Sequence, residues 1–579
     1  MKNKNGKNPG SSGESTKQKS SLLPWLKNSR ILSQNIATRL FYREIHLFPK
    51  RHPYSYRQFY QNVTPNFTIS HIQKPPCFLR KFSPDGRYLI AFSADQTSLE
   101  IYEYKGPAAC GEMLRDCEDE HFLQDEKLRT HVERNIFDAF FFPKYSVVVA
   151  ANRDQLNREC SLFTDDGRFI IVGSVSLRNI TNLDDNYRTN ESVTPNPRSP
   201  LDDYSLHIVN IDLGVLTDTK TFHYDKIYLS HNQGLYLYKT TLAVLSVQHQ
   251  TIHIFDITQD GIFIPVREIG RVCYGDDDFF LESTLPREID PRNNFEVSTL
   301  DGPHTIYSLK HRLLTFLYRY ARRVSEYEGN SKAILEFHRM FNYFSYLRMW
   351  KMQLLDDAHL LIKYASEEVV TLRTAEPNGQ PSLIVIYNMI TTEVISVYEN
   401  TSSELLDLFE KLSDFFRNAR LKCESQFTCS PSNTTWAKLI HERHKSIIVS
   451  AKGGGQQEAT KRLLGQLPIS AQSFSASPYL DLDIFSYDDK WVSVLERPKS
   501  CTDHPIRFYG RDSGLLKFCI HAGRSVHPFG LSSSSRRLVA FTFHPFDPFT
   551  ISVQRTNDEY VVSFHVRHPS FKKTKKLNL

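Results

Sequence analysis

The feature that most constrains this chain is a strand–turn–strand unit that recurs along it. The first copy, Cys77–Tyr104 (CFLRKFSPDGRYLIAFSADQTSLEIYEY), predicts three strands joined by two tight turns. Its first turn, Ser83–Gly86, holds Pro, which presets φ, Asp, which can bond its own backbone, and Gly, which accepts a positive φ. The apolar run Tyr88–Phe92 is typical of a strand buried on both faces. Because one such meander cannot bury both faces alone, it needs neighbours of the same kind.

Further copies share an aromatic or aliphatic start, a turn and an aliphatic run, and they begin at Phe163, Phe485 and, in weaker form, Gly234, Leu354 and Phe543. Most are followed by an alternating strand: Ser205–Ile211, Thr251–Ile257, Leu383–Tyr387, Ile506–Tyr509 and Tyr560–Val566. This repetition predicts a mainly β fold, a WD40-like β-propeller with helical insertions, in which each blade packs on its neighbours. The alternative is an array of unrelated antiparallel sheets in two domains.

Composition limits the class of protein. The 579-residue chain is 40% hydrophobic and 12% aromatic, enough for a large core. Its nine cysteines are odd in number and form no CxxC pair, which favours reduced thiols over a zinc site or a disulfide framework. The sequence has no apolar run of about 18 residues and no apolar secretory segment at its start, so we expect a cytosolic or nuclear protein.

The sequence predicts four parts: a disordered basic tail (1–21), an amphipathic docking helix (22–48), the propeller (60–568) and a second basic tail (569–579). The propeller carries a Ser/Pro-rich loop insert (176–203) and helical insertions at 304–349 and 402–466. Gly106–Arg134 is acidic and is expected to form a loop. The tails act either as nuclear-import signals or phosphate contacts, or as solvated chain, and the helical insertions either contact partners or support a blade edge.

Residues 25–47 carry apolar side chains at helical spacing before the first blade. Leu32, Ile36 and Leu40 lie four apart. The candidate docking residues on this helix are Ile36, Arg39, Leu40, Phe41, Arg43 and Ile45. Because the helix is not needed to build the first blade, it is a candidate docking element. The alternative is that it packs on the protein's own surface.

Motifs for chemistry are few. Gly453–Gly455 lacks the Gly-Lys-Ser/Thr of a phosphate-binding loop, and the sequence has no Gly-x-Ser-x-Gly, His-Glu-x-x-His or dinucleotide fingerprint. Three carboxylate pairs fall at turns of the repeat: Asp165-Asp166, Asp356-Asp357 and Asp488-Asp489. Two histidine pairs lack further ligands at metal spacing: His441/His444 and His565/His568. We therefore expect no catalytic residues, no cofactor and no metal site.

Several longer strings are more specific: Lys74–Tyr88, Asn157–Asp165, Glu191–Pro200, Leu229–Tyr238, Arg348–Leu355, Leu463–Ser473 and Arg537–Pro545. Spread over about residues 60–568, they resemble the De-etiolated family, the light-signalling repressors of plants and their animal counterparts. The resemblance implies a nuclear, non-catalytic subunit of a cullin-four RING ubiquitin ligase that promotes degradation of transcription factors.

The resemblance also implies partners: the damage-specific DNA-binding adaptor, a small associated adaptor protein, the constitutive-photomorphogenesis RING ligase and ubiquitin-conjugating enzymes. Residues 35–45 resemble the short helical box that such receptors insert into the adaptor. Ile36, Leu40 and Phe41 would then be buried anchors, with Arg39 or Arg43 at the rim. The alternative reading is a chromatin-binding propeller that reads a histone tail and acts as a transcriptional repressor; a hidden enzyme ranks third.

Overall fold

The structure, a computed structural model, describes residues 26, 53–115, 125–150, 154–176, 192–193, 201–270, 308–374, 377–418, 430–472, 477–487, 505–520, 537–555 and 560–568. Within these ranges the protein is mainly β and forms six antiparallel sheets, A to F.

Sheets A to C follow one another along the chain. Sheet A contains β2 (Cys77–Phe82), β3 (Tyr88–Ser93), β4 (Ser98–Tyr104) and β5 (Phe141–Val148). Sheet B contains β6 (Gln155–Phe163), β7 (Phe169–Ser176), β8 (Asp202–Asn210) and β9 (Val215–Asp225). Sheet C contains β10 (Leu235–Tyr238), β11 (Thr241–Ser246), β12 (Thr251–Ile257) and β13 (Phe263–Ile269).

Sheets D to F complete the set. Sheet D contains β14 (Arg348–Leu354), β15 (His359–Ala365), β16 (Ser382–Asn388) and β17 (Glu393–Glu399). Sheet E contains β18 (Phe485–Ser486), β19 (Ile506–Gly510) and β20 (Leu516–Ile520). Sheet F contains β21 (Arg537–Phe543), β22 (Thr550–Arg555), β23 (Tyr560–Val566) and, from the other end of the chain, β1 (Phe67–Ile69).

Helices lie before and between these strands. They are α1 (Pro53–Asn62), α2 (Glu126–Phe140), α3 (Ser308–Glu328), α4 (Lys332–Tyr346), α5 (Glu367–Val370), α6 (Ser403–Lys411), α7 (Ser413–Phe416), α8 (Thr435–Ser450) and α9 (Gln456–Leu464). Among the described residues, no helix combines the length and the apolar character needed to cross a bilayer.

The repeated unit of the sequence is confirmed as strand, turn and strand in sheets A to D and F, whereas most of the copy that begins at Phe485 lies outside the described residues. In sheets A and B its turns are stabilised as predicted. In sheet A the Asp85 carboxylate accepts a hydrogen bond from the Arg87 backbone N–H (3.2 Å), and Gly86 has φ 73°. In sheet B the Asp166 carboxylate accepts one from the Arg168 backbone N–H at 3.1 Å. The carboxylate fixes each turn through a backbone bond, and glycine removes the penalty of a positive φ.

The apolar runs are continuous because alternate residues of one strand supply two different cores. In β3, Leu89 packs with Ile551 and Phe564 of sheet F, whereas Ile90 on the opposite face packs with Val172 of sheet B. Side chains of a strand alternate between its two faces, so a sheet covered on both sides needs no polar face.

The same arrangement joins the remaining sheets. Ile171 of sheet B, Val244 of sheet C and Ile362 of sheet D share one cluster, while Phe508 of sheet E packs with Phe543 of sheet F. Beyond sheet D the packing partners are helices: residues of sheet D lie in one cluster with residues of α6 and α9.

One predicted loop is wrong. The acidic stretch Gly106–Arg134 runs into α2, which begins at Glu126, and the Asp125 side chain caps this helix by accepting hydrogen bonds from two backbone N–H groups. Val132, Ile136 and Phe140 recur every four residues and are buried on one face. The packing of this buried face outweighs the polar composition of the stretch. Phe140 is the last residue of α2, and the next strand, β5, begins at Phe141.

Other boundaries differ by a few residues. The insert predicted at 176–203 ends earlier, because β8 already begins at Asp202, and the helical insertion at 304–349 ends with α4 at Tyr346. The helix expected at Glu404–Leu421 is interrupted at Leu412, which separates α6 from α7, and residues beyond 418 lie outside the described part. The break expected at Gly453–Gly455 is confirmed between α8 and α9.

A buried histidine in sheet B predicts a pH dependence of stability. The His207 ring is paired with the Ser174 hydroxyl (2.8 Å) and the Thr219 hydroxyl (2.9 Å), and burial lowers its pKa from the usual 6.5 to about 4. Above about pH 6.5 the ring is neutral in both folded and unfolded chains. As the pH falls toward 4, the unfolded chain takes up the proton first, so stability drops by about 3 kcal/mol.

We expect His207→Gln to remove this component. Urea unfolding of wild type and variant between pH 7 and pH 4 should show their stability difference shifting by about 3 kcal/mol in favour of the variant. The exposed His131, changed to Gln, serves as the control and should leave the pH profile unchanged. A pH-independent difference for His207→Gln would contradict the assignment.

Candidate protein-interaction surface

The predicted docking residues Ile36, Arg39, Leu40, Phe41, Arg43 and Ile45 lie outside the described residues. Of residues 1–52 the structure describes Leu26, whose side chain is 1% exposed. It packs in one cluster with Leu361 and Ile384 of sheet D and Leu405 of α6. Leu26 therefore lies between sheet D and the helices that cover it.

The helical insertion before sheet D forms a hairpin, α3–α4, whose base is fixed to the sheets. Leu309 and Leu313 are fully buried in the core shared by sheets B, C and D. Arg312 donates to the Thr392 carbonyl (2.6 Å), next to β17. Lys310 donates to the Ser345 carbonyl (3.2 Å) and so ties the start of α3 to the end of α4. These contacts hold the base of the hairpin in place.

The distal half of the hairpin is held by contacts between its own two helices. The rings of Tyr318 and Phe337 lie 5.6 Å apart, and Phe337 is 8% exposed. The Ile334 backbone N–H donates to the Ser325 hydroxyl at 3.3 Å, where α4 begins. The hairpin thus has a small core of its own, and its outer face is left uncovered.

That outer face carries exposed aromatic and basic side chains in a row. Tyr320, Arg323 and Tyr327 recur at spacings of three and four, which places them on one side of α3, and Tyr327 is 84% exposed. On α4, Leu335 and Tyr346 are also exposed. Tyr and Arg are over-represented among the residues that dominate protein–protein binding energies. This α3–α4 face is the first candidate interaction surface.

Helix α8 provides a second exposed face. Its inner side is tied to α6, because the Glu410 carboxylate accepts from Lys445 (2.9 Å) and lies 3.1 Å from the His441 ring, which together lower the pKa of Glu410 to about 2. Its outer side exposes apolar residues, including Leu439 at 48% and Ile447 at 58%. Exposed apolar side chains grouped on one helix face are typical of interaction sites.

The paired carboxylates have structural roles where they are described. Asp356 accepts hydrogen bonds from the backbone N–H groups of Ala358 (2.7 Å) and His359 (2.8 Å), and Asp357 forms an ion pair with Lys239 (2.6 Å). Asp166 fixes its own turn. Their predicted turn role is confirmed, and Asp488-Asp489 lies outside the described residues.

The singled-out histidines likewise have hydrogen-bond partners. His565 lies between the hydroxyls of Thr68 and Ser552, each 2.9 Å away, and His568 contacts the Leu114 carbonyl at 2.5 Å. Within the ranges that the structure describes, no three His, Cys, Asp or Glu side chains come together in a metal-binding arrangement.

The exposed row on α3 does not follow from the apolar pattern of this helix. Helical spacing predicts one apolar face from Leu309, Leu313, Leu314, Leu317 and Tyr320, yet the tyrosine is 57% exposed. The signal was present: the leucines stop at Leu317 and the next turns carry arginines, as expected where a helix leaves the protein surface.

A mainly β protein of consecutive antiparallel sheets with protruding helical insertions is the class that these features define. The family model of De-etiolated protein 1 matches residues 158–568, and the chain belongs to this family. It is 30% identical to the light-mediated development protein DET1 of Solanum lycopersicum over 544 residues, covering 92% of this chain and 99% of that protein. The protein of the same name from Arabidopsis thaliana is 30% identical over 566 residues, with the same shares covered.

Solved structures resemble the chain only weakly. The β-propeller domain of the Trilobed protease from Pyrococcus furiosus is 9% identical over 43% of this chain and 44% of its own, with a TM-score of 0.17.

The two-helix core of the hairpin predicts a local response to mutation. Phe337→Ala removes a ring that packs on Tyr318 and should cost about 3 kcal/mol, lost mainly from the distal hairpin. Hydrogen exchange should accelerate in the distal part of α3 and in α4 while sheets A to C stay protected. The control Tyr327→Ala, on the exposed side, should change stability by less than about 0.5 kcal/mol. Unchanged exchange in Phe337→Ala would show that the hairpin has other support.

Proposed function

We propose that the protein is a non-catalytic scaffold and substrate-receptor subunit of a nuclear cullin-four RING ubiquitin ligase. In this role it bridges the damage-specific DNA-binding adaptor to the constitutive-photomorphogenesis RING ligase and to ubiquitin-conjugating enzymes, with a small associated adaptor protein as a further partner. The result is ubiquitination and degradation of transcription factors. Its contribution to rate is proximity: it holds enzyme and substrate in one complex, so no residue of this chain performs chemistry.

The observation that carries this proposal is the extent of the family match, which spans 92% of the chain at 30% identity to relatives named for light-mediated development. Separate exposed surfaces support it as well. The α3–α4 face and the α8 face lie on different insertions, and Leu26 brings the N-terminal segment to the cluster between sheet D and α6. A scaffold needs several surfaces of this kind on one rigid body.

For the fold we propose a closed β-propeller in which sheets A to F are the blades. Consecutive packing of the sheets supports closure, as does β1, which adds the start of the chain to the C-terminal sheet F. Between sheets D and E, helical residues take part: Thr434 hydrogen-bonds to Asp483, and the Arg511 guanidinium lies 5.0 Å from the Trp436 ring. Under this proposal the helices α6 to α9 complete the ring at that position.

Docking on the adaptor is assigned to the N-terminal segment, with Ile36, Leu40 and Phe41 as anchors and Arg39, Arg43 and Ile45 beside them. Ile36 follows Leu26 by ten residues, and Leu26 is buried in the cluster between sheet D and α6.

Leu40→Asp tests the assignment. A charge placed at a buried anchor should weaken adaptor binding by on the order of 2–4 kcal/mol, while an unchanged circular dichroism spectrum shows that the fold is intact. The measurement is co-purification of the adaptor with wild type, with Leu40→Asp and with Tyr327→Asp, which places the same charge on the exposed α3–α4 face.

We expect Leu40→Asp alone to lose the adaptor. Undiminished binding would move the docking surface to the sheets or the helical insertions. A salt-sensitive histone interaction that survives Leu40→Asp, in a protein that binds no adaptor, would favour the chromatin-reading alternative.

A further inference from the structure

Two lysines lie side by side on sheet D. Lys351 of β14 pairs directly with Lys363 of β15, just beyond a bulge at Trp350. The two ammonium groups approach the same indole ring, with Nζ of Lys351 4.4 Å and Nζ of Lys363 5.1 Å from its centroid. Two like charges and an aromatic ring thus share one small region of the sheet.

Two of these groups, the Lys363 amine and the Trp350 indole N–H, are buried without a hydrogen-bond acceptor among the described residues. Lys363 is 1% exposed and Trp350 is 2% exposed, and neither Nζ of Lys363 nor Nε1 of Trp350 has a partner in the structure as described. The same holds for the hydroxyl of Ser382, which is 3% exposed. Leaving buried donors unpaired destabilises a fold, and an ammonium is costlier than a neutral group.

Register places Ser382 beside the lysines. Lys363 pairs with Ile384 of β16, and Ser382 lies two residues before Ile384, so its side chain is on the same face of the sheet as that of Lys363. Diagonal neighbours on one face of an antiparallel sheet are within reach of a long side chain. Ser382 thus shares one face of the sheet with the two lysines, the Trp350 ring lies against both amines, and no carboxylate is among the described partners of these groups.

Burial also changes the ionisation of the two lysines. Burial lowers the pKa of Lys351 to about 8, and burial together with the like charge of Lys351 lowers that of Lys363 to about 7. Loss of a proton removes the charge of an amine but does not supply the missing acceptor, and it leaves the Trp350 and Ser382 donors as they are.

We propose that Lys351, Lys363, Trp350 and Ser382 form a binding site for a phosphate group. A phosphate carries close to two negative charges at neutral pH and offers several strong acceptor oxygens, which matches two ammonium groups, an indole N–H and a hydroxyl. Lys351 is only half-buried and provides the side from which the group enters. Lysine binds phosphate as a point charge and needs no bidentate geometry, in keeping with two lysines on adjacent strands.

The experiment measures binding of inorganic phosphate to the full chain at neutral pH by calorimetry, Trp fluorescence and thermal shift. Phosphate should raise Tm and change the fluorescence of the wild type. Lys363→Met and Lys351→Met should each raise the dissociation constant at least tenfold, whereas Lys332→Met, at an exposed lysine of α4, should leave it unchanged. Acetate should bind at least tenfold more weakly than phosphate. The same binding measurement with phosphoserine in place of phosphate tests whether the natural ligand is a phosphorylated side chain or the free ion.

The melting temperature of Lys363→Met without phosphate shows whether this variant has lost the site or has misfolded. Because methionine keeps the length of the side chain and removes a buried unpaired amine, this variant should melt at a higher temperature than the wild type. A lower Tm would show that the amine is already satisfied in the free protein and would overturn the proposal. So would the absence of any phosphate response in the wild type, a response retained in both lysine variants, or acetate binding as tight as that of phosphate.

Discussion

The pairing of β1 with β23 joins the two ends of the fold, and the other sheets lie between them. Phe67 is opposite Val566, and the Asn66 amide completes the join by donating to the His568 carbonyl (2.9 Å) and accepting from its N–H (2.7 Å). Without β1, sheet F would expose the backbone groups of β23 as an open edge. Because the paired residues lie about 500 positions apart, this pairing carries a loop-closure cost that the cores of the other sheets must offset.

A second constraint acts where the first strands of the sheets lie close together. Residues 469–472, which follow α9, hydrogen-bond to sheets A and B, to the turn before sheet C, and to sheet D. Their partners are Lys81, Phe163, Asn232 and Gln353. Gln472 makes three of these hydrogen bonds. Its side-chain oxygen accepts from the Phe163 backbone N–H (2.9 Å) and from Lys81 (2.9 Å), and its side-chain N–H donates to the Phe163 carbonyl (2.6 Å). One short segment thereby fixes four sheets relative to one another, and it is supplied by the insertion that also builds the α8 surface.

Local patterns predicted the sheets well, because continuous apolar runs and Asp-containing turns act within a few residues and do not depend on the rest of the chain. They did not predict α2, because the acidic residues of this stretch indicated a loop although Val132, Ile136 and Phe140 have helical spacing. They also did not predict the exposure of Tyr320, because it depends on how far α3 projects from the sheets. The meeting of Lys351 and Lys363 could not be predicted at all. It depends on the bulge at Trp350, which shifts the register by one residue, and a one-residue shift moves every later side chain of the strand to the other face.

Sheet D is where the features outside the sheet framework converge. Helix α3 packs against its last strand, and Leu26 and the helices α6 and α9 cover one of its faces. Lys351 and Lys363 lie on that covered face, and the buried amine of Lys363 has no partner among the described residues. An apolar residue at such a position would be more stable than an unpaired amine. Sheet D therefore accepts a local cost in stability beside its helical surfaces, which a bound anion at the proposed phosphate site would offset.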